Sequence, residues 1–357
     1  MVGHEFFQLS FSRRWVITQT VKRELMRFTA TALGLIFALG FSATAADRVI
    51  YKGKQGPGAG KKIVFLSGDE EYRSEEGLPM LAKILAERHG FDCTVLFSQN
   101  SDGTIAPTNS MNIPGMETLA DADMLVMLLR FRELPDDKMK YFVDYLNAGK
   151  PIMGLRTSTH AWYYQQNKQS PYARFSWNSK EWPGGFGQQV LGDTWISHHG
   201  NHAKESTRGV INEQMKNHPV LRGVEDVWGP TDVYGIAHLP RDAKVLVYGQ
   251  VLEGMKPADK PVTGKKNDPM MPLVWIREYK GESGNTNRIV TTTMGASVDL
   301  ENKGLRRLLV NGVYWAVHLE DKIPEKSNID YVGEYKPTFF GFGKHQKGVK
   351  PEDLEMK

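Results

Sequence analysis

The sequence predicts an α/β protein built on a doubly wound, mainly parallel sheet of the flavodoxin-like kind. Three observations carry that expectation. Strand-like and helix-like runs alternate from Lys62 to Leu155. The strand runs are apolar without interruption, as in sheets covered on both faces. Gly90 and Gly149 each close a helical run just before the next strand, where a left-handed cap is needed.

The elements follow in order. Lys62 to Leu66 is the first strand, Leu78 to His89 a helix with Leu78, Leu81, Ala82, Leu85 and Ala86 on one face, and Phe91 to Phe97 the second strand. Residues 98–118 read as a polar loop. Met124 to Leu129 is a third strand, Asp136 to Asn147 a helix opened by Pro135, and Pro151 to Leu155 a fourth strand. Residues 161–209, rich in Gly, Trp, Tyr, Asn and His, read as a long excursion over the carboxyl edge of the sheet rather than a second core. Val245 to Val251 returns as a strand. Pro272 to Ile276 and Ile289 to Met294 form an antiparallel pair, and Leu305 to Leu319 is a closing helix. The expected divisions are an N-terminal extension and signal peptide (1–46), a linker (47–60), the domain (61–320) and an irregular C-terminal tail (321–357).

Arg27, the apolar run Phe28 to Phe41 and the Ala43-Thr44-Ala45 pattern read as a secretory signal peptide starting at Met26. The run is too short to span a membrane comfortably. Ser12-Arg13-Arg14 allows a twin-arginine reading, and an uncleaved anchor is the other alternative. Cleavage near residues 45–46 implies a periplasmic or secreted protein with no membrane contact afterwards. The whole chain carries a net charge of +4, but the first 46 residues hold five Lys/Arg and two Asp/Glu. The remainder, with 40 basic and 39 acidic residues, gives no electrostatic case for nucleic acid or an anionic membrane. The single cysteine, Cys93, excludes an intrachain disulfide and reads as a small core residue. Gly-rich residues 51–60 precede a strand instead of following one, and Lys62 stands where a phosphate loop needs Ser or Thr, so they are no phosphate loop.

Ligands of doubly wound sheets bind beyond the carboxyl ends of the strands. Four loops are expected there. The acidic Asp69-Glu70-Glu71-Tyr72 stretch leads into the first helix, so Asp69, Glu70 and Tyr72 are either substrate-binding or plain capping groups. Arg130 and Arg132 follow the third strand. Arg130 is the better candidate for an anionic or polyhydroxyl ligand, and Arg132 for an ion pair with the acidic loop. After the fourth strand come Arg156 and His160, expected to polarise substrate and to exchange protons. Ser158 and His160 are two residues apart and lack the G-x-S-x-G elbow, which disfavours a serine hydrolase. Last, His198, His199 and His202 lie within five residues. They are candidate ligands for a divalent metal such as Zn, with His199 also a catalytic candidate, or simply a hydrogen-bonded loop. Trp162 and its aromatic neighbours Tyr163, Trp177, Trp182 and Trp195 are either sugar-stacking faces or anchors of the excursion.

Several strings then resemble one family. They are Gly149-Lys150-Pro151-Ile152-Met153-Gly154-Leu155-Arg156, His198-His199, His218-Pro219-Val220-Leu221-Arg222-Gly223, Asp232-Val233-Tyr234, Val290-Thr291-Thr292-Thr293-Met294-Gly295 and Asn311-Gly312-Val313-Tyr314-Trp315-Ala316. In this order they are similar to the ThuA-like (trehalose utilisation) family over about residues 61–320. The resemblance implies a class I glutamine amidotransferase-like fold and a role in sugar utilisation, often through keto-sugars. Two departures matter. Arg156 stands where family members often have His after Gly-Leu, and Ala296 where they often have His after Gly. The amidotransferase cysteine is missing too, so glutaminase activity is not expected. The functional expectation is an exported enzyme on a sugar or keto-sugar derivative using Arg/His acid–base chemistry. A non-catalytic carbohydrate-binding module and a metal-dependent hydrolase remain as alternatives. The expected partner is a small-molecule carbohydrate, and the sequence carries no signal of oligomeric state.

Overall fold

A computed structural model describes residues 47–356; the expected signal peptide and its cleavage site lie outside the described residues. Ten strands form one sheet: β1 Arg48–Tyr51, β2 Lys62–Gly68, β3 Asp92–Phe97, β4 Met124–Leu129, β5 Ile152–Leu155, β6 Thr207–Ile211, β7 Trp228–Gly229, β8 Lys244–Val251, β9 Met271–Lys280 and β10 Thr286–Thr292. Their order is β1-β3-β2-β4-β5-β10-β9-β8-β6-β7. The five strands β3-β2-β4-β5-β10 are parallel. Counted among themselves they run 2-1-3-4-5, the flavodoxin-like order, with the switch point between β2 and β4. The strands beyond β10, and β1 at the other edge, pair antiparallel.

Alternation along the parallel strands builds two cores. Ile63 and Phe65 of β2, with Met124, Val126 and Leu128 of β4, face helices α1 (Ser74–His89) and α3 (Lys303–Ala316). Val64 and Leu66, with Leu125, Met127 and Leu129, face helix α2 (Asp136–Asn147) and the excursion. Because successive side chains point to opposite faces, a strand must be apolar at every position to feed both layers. That is why these runs were legible. The excursion supplies Phe175, Phe186, Val190 and Leu191 to the α2-side core while adding only short helical turns, so it covers that face without forming a second domain.

The departures from expectation have local causes. β1 falls inside the stretch read as linker. Val49 and Tyr51 are buried and Ile50 is exposed, a period-2 pattern too short to stand out before a Gly-rich run. Helix α1 starts at Ser74, four residues before its apolar stripe, because its first turn is polar. β6 and β7 were missed since their outer face is only half buried. Gly90 adopts φ 82° and caps α1, and Cys93 is buried, both as expected. The tail has no strand or long helix. Ile323, Ile329 and Tyr331 pack it onto the α1/α3 core, and the Tyr51 hydroxyl donates to the Leu354 carbonyl at 2.8 Å. Among the described residues, no helix is long and apolar enough to cross a membrane.

Candidate functional site

The carboxyl ends of β2, β4, β5 and β10 bring the predicted loops to one place. After β2, Asp69 is fully buried. Its Oδ1 accepts the backbone N–H groups of Glu71 (2.7 Å) and Tyr72 (2.6 Å), and its Oδ2 accepts the Thr157 hydroxyl. It is therefore the staple of the loop, out of reach of a ligand. Glu70 pairs with both Arg130 and Arg132, the latter at 3.1 Å. Arg132 is buried and also donates to the Pro107 and Asn109 carbonyls, so it braces loops. Arg130 keeps some exposure, between the rings of Phe131 (4.5 Å) and Phe342 (5.0 Å).

The centre of the site is a residue that the sequence displayed only inside a family-like string. Asp232 is buried and takes donors from three sides. Arg156 Nη2 reaches Oδ1 at 3.0 Å, His202 Nδ1 reaches Oδ1 at 3.0 Å, and His198 Nδ1 reaches Oδ2 at 2.7 Å. Burial alone pushes a carboxyl upward. Here the Arg156 guanidinium and the two histidine hydrogen bonds overcome that push and hold Asp232 well below the usual carboxylate range. A carboxylate only accepts, so His198 carries a proton on Nδ1, and in the neutral ring Nε2 is the nitrogen with the lone pair. Its side chain is 36 % exposed. His202 turns its other nitrogen to Glu71, Nε2 to Oε1 3.4 Å. Burial and the neighbouring Asp69 push the Glu71 carboxyl upward.

Arg156 does not reach outward as expected. Its side chain has no exposure, its guanidinium lies between the rings of Tyr72 (4.2 Å) and Tyr234 (4.3 Å), and it also donates to the Thr293 carbonyl at 2.7 Å and the Tyr72 hydroxyl at 3.1 Å. The reason is backbone geometry. Arg156 sits at φ 37°, a left-handed turn at the end of β5 that leads straight into a short helical segment, Arg156–His160. A sharp strand-to-helix turn of this kind carries the nucleophile in α/β-hydrolases; here it carries a buried cation. Such a backbone costs about 1–3 kcal/mol for a non-glycine residue. Tyr72 belongs to this brace and is itself buried.

His160 is buried against Phe131, Trp195 and Tyr234, with Nδ1 3.2 Å from the Thr159 hydroxyl. Burial, aided by Arg130 and Arg156, holds its imidazole well below the ordinary histidine value, so it stays neutral. His199 leaves the histidine cluster altogether. Its neighbour His198 bridges Tyr234, and the chain then bends at His199 and Gly200, whose N–H groups both donate to the Val233 carbonyl. His198 faces Asp232, and His199 Nε2 donates to the Lys266 carbonyl at 2.9 Å. The group able to hold a metal is His198, His202 and Asp232, whose ligand atoms lie within 4.8 Å of one another. Trp162 is another correction: it is buried in the core against Phe142 at 4.8 Å, because its backbone bridges Arg132 just beyond the end of β4. The part-exposed rings are those of Phe131, Tyr163, Trp177 and Trp195. They form an edge-to-face chain that ends 5.9 Å from His198.

Fold and site together define an α/β protein of the doubly wound class, with a histidine–carboxylate centre at the switch edge. The ThuA family model, described as trehalose utilisation, matches residues 62–316, and the chain belongs to that family. The strand order and the elbow fit the amidotransferase-like fold that the resemblance implied. Among solved structures, the chain is similar to a ThuA-like protein from Parabacteroides merdae, with 14% identity over 72% of this chain and 90% of that one and a TM-score of 0.47. A ThuA-like protein from Bacteroides uniformis gives 16% identity over 74% and 95%, TM-score 0.45. PurLQS from Thermotoga maritima gives 10% identity over 71% and 99%, TM-score 0.37. No curated protein matches the chain.

Proposed function

We propose that this ThuA-family protein is an exported enzyme of carbohydrate utilisation that moves a proton on a sugar or keto-sugar derivative. The observation that carries the reading is the His198–Asp232 pair. A buried carboxylate fixes the ring and its tautomer, and a free Nε2 remains on a part-exposed side chain. In that arrangement Nε2 accepts a proton from the substrate, the electron pair stays on the substrate, and Asp232 stabilises the imidazolium that forms. The His202–Glu71 contact supplies a second place for the proton. Arg156 holds Asp232 from behind and touches no substrate. The part-exposed rings of Trp195, Trp177, Tyr163 and Phe131 suit the apolar face of a sugar. Export rests on the leader-like residues 26–45.

The donor set also fits a divalent transition metal: two imidazoles and one carboxylate are a familiar set for Zn or Fe. A bound ion would polarise a substrate oxygen. Elemental analysis of untagged protein covering residues 47–357 tests this. About one equivalent, lost in His198→Ala and in His202→Ala, supports the metal-dependent form of the reading, hydrolase chemistry included. No metal above background leaves proton transfer by His198 alone.

A non-catalytic carbohydrate-binding module is the second reading, favoured by the absence of histidine at positions 156 and 296. Turnover assays on keto-sugars separate the two. An enzyme shows pH-dependent turnover that His198→Ala abolishes. A binding module shows no turnover, and its saturable sugar affinity survives His198→Ala but fails in Trp195→Ala.

A further inference from the structure

The C-terminal tail lies outside the matched family region, residues 62–316, yet it is stitched onto the site. Several hydrogen bonds fix it. The Tyr335 hydroxyl donates to the Ser297 carbonyl at 2.7 Å, and Thr338 donates from backbone and hydroxyl to the Glu76 carboxylate at 2.7 and 2.6 Å. The Gly341 N–H donates to the Glu71 carbonyl at 2.8 Å, and the Gly341 carbonyl accepts the Arg73 guanidinium. Gly341 has φ 140°, backbone that side chains with a Cβ rarely adopt. This places two rings at the site. Phe340 is buried, 5.3 Å from the His202 ring and 5.4 Å from Tyr72. Phe342 is 57 % exposed, with its ring 5.0 Å from the Arg130 guanidinium.

We infer that residues 335–342 form the second wall of the carbohydrate site, with Phe340 as a positioning residue for His202 and Phe342 as a specificity residue that favours ligands bearing a flat apolar group. The first part follows from contact. His202 is wedged between Asp232, Glu71 and the Phe340 ring, so loss of that ring frees one side of the imidazole. The second part follows from exposure. A large ring more than half open to solvent, backed by a guanidinium whose charge is engaged by Glu70 and, at 3.8 Å, by Glu71, offers an apolar face. An aromatic aglycone covers that face and a methyl group does not. The specificity claim rests on the carbohydrate reading above; the positioning claim does not.

Two measurements keep these apart. Diethyl pyrocarbonate modification, followed residue by residue by mass spectrometry, needs no substrate. We expect Phe340→Ala to speed modification of His202 severalfold while His238, in the connection between β7 and β8 and bonded to Asp193, keeps its wild-type rate. Phe340→Leu should restore the slow rate, and Phe342→Ala should leave it unchanged. Equal His202 rates in the wild type and in a folded Phe340→Ala protein overturn the positioning role; a faster His238 as well would mark general loosening and overturn it too. The second measurement compares binding of 4-nitrophenyl α-glucoside and methyl α-glucoside. The wild type should prefer the aryl glucoside by about two- to tenfold, the worth of one stacking contact, and Phe342→Ala should bring the ratio to about one. A preference that survives Phe342→Ala overturns the specificity role. Binding of neither glucoside counts against both the carbohydrate reading and the specificity claim, while the modification rates still decide the positioning claim.

Discussion

Replacing Asp232 with Asn is the most searching single test of the site. The carboxylate takes Arg156 and His202 on Oδ1 and His198 on Oδ2. An amide has one accepting side. If its oxygen stays toward Arg156, its NH2 meets the Nδ1–H of His198, donor against donor, and the imidazole must move its proton to Nε2. If the amide turns over, its NH2 faces a guanidinium with no exposure to water. Removing one partner of a buried ion pair typically costs about 3–5 kcal/mol. Two carbonyls and the Tyr72 hydroxyl still hold Arg156, so the lower end, about 3 kcal/mol, is expected. At about 1.5 °C per kcal/mol for a folded chain of this size, Tm falls by about 4–5 °C. Asp232 is held below the usual carboxylate range, so its contribution is present above the ordinary carboxyl value and is lost only as pH falls through the depressed folded one. The Asn variant should therefore also lack that part of the acid limb. Urea unfolding gives the energy, and nitrogen NMR of the imidazoles gives the tautomer. A loss under about 1 kcal/mol with His198 still protonated on Nδ1 would refute the assignment of Asp232 as the orienting group.

Three further outcomes are expected. Both Glu75 carboxylate oxygens are buried without a hydrogen bond, with Arg73 no nearer than 3.9 Å, and burial pushes the carboxyl up to about 8. The folded protein thus holds a proton that the unfolded chain has released, and stability falls as pH rises from about 4.5 to 8. Glu75→Gln should flatten that slope by a few kcal/mol in urea unfolding at pH 5 and pH 8.5; parallel wild-type and variant curves would show that the side chain is solvated after all. His199→Ala should leave metal content and sugar affinity unchanged, because its ring is spent on the Lys266 carbonyl, and an effect as large as that of His198→Ala would return it to the site. Trp195→Ala should weaken sugar binding by about two- to tenfold with little change in Tm, and unaltered affinity would remove the ring chain from the binding surface.

The parallel half of the sheet was legible because its strands face two cores and so are apolar at every position. Met124–Leu129 and Asp136–Asn147 emerge with the bounds read from the sequence. The antiparallel half was harder to read since β6 and β7 bury only part of one face. At the site, sequence reasoning found the right loops and often the wrong side chains. Proximity in sequence grouped His198, His199 and His202, whereas the bend at His199 and Gly200 turns the His199 ring to the Lys266 carbonyl. Charge at a strand end suggested that Arg156 meets substrate, whereas its left-handed turn folds it inward. Asp232 and Glu71 went unchosen, because nothing in a linear string shows that a carboxylate 30 residues beyond His202 returns beneath it. Its only signal was the Asp232-Val233-Tyr234 string.

The position of β10 bears on how the protein comes to be made. This strand pairs with β5 across a gap of more than 130 residues, Ile152 against Ile289. A ribosome therefore delivers β2 to β5 long before their neighbour exists. Until β10 arrives, β5 presents an unpaired parallel edge, and contacts of such long range form slowly. Phe340 is delivered later still. The site is thus closed by residues that follow every strand of the sheet, and a molecule clipped before Phe340 would carry the sheet without a finished cleft.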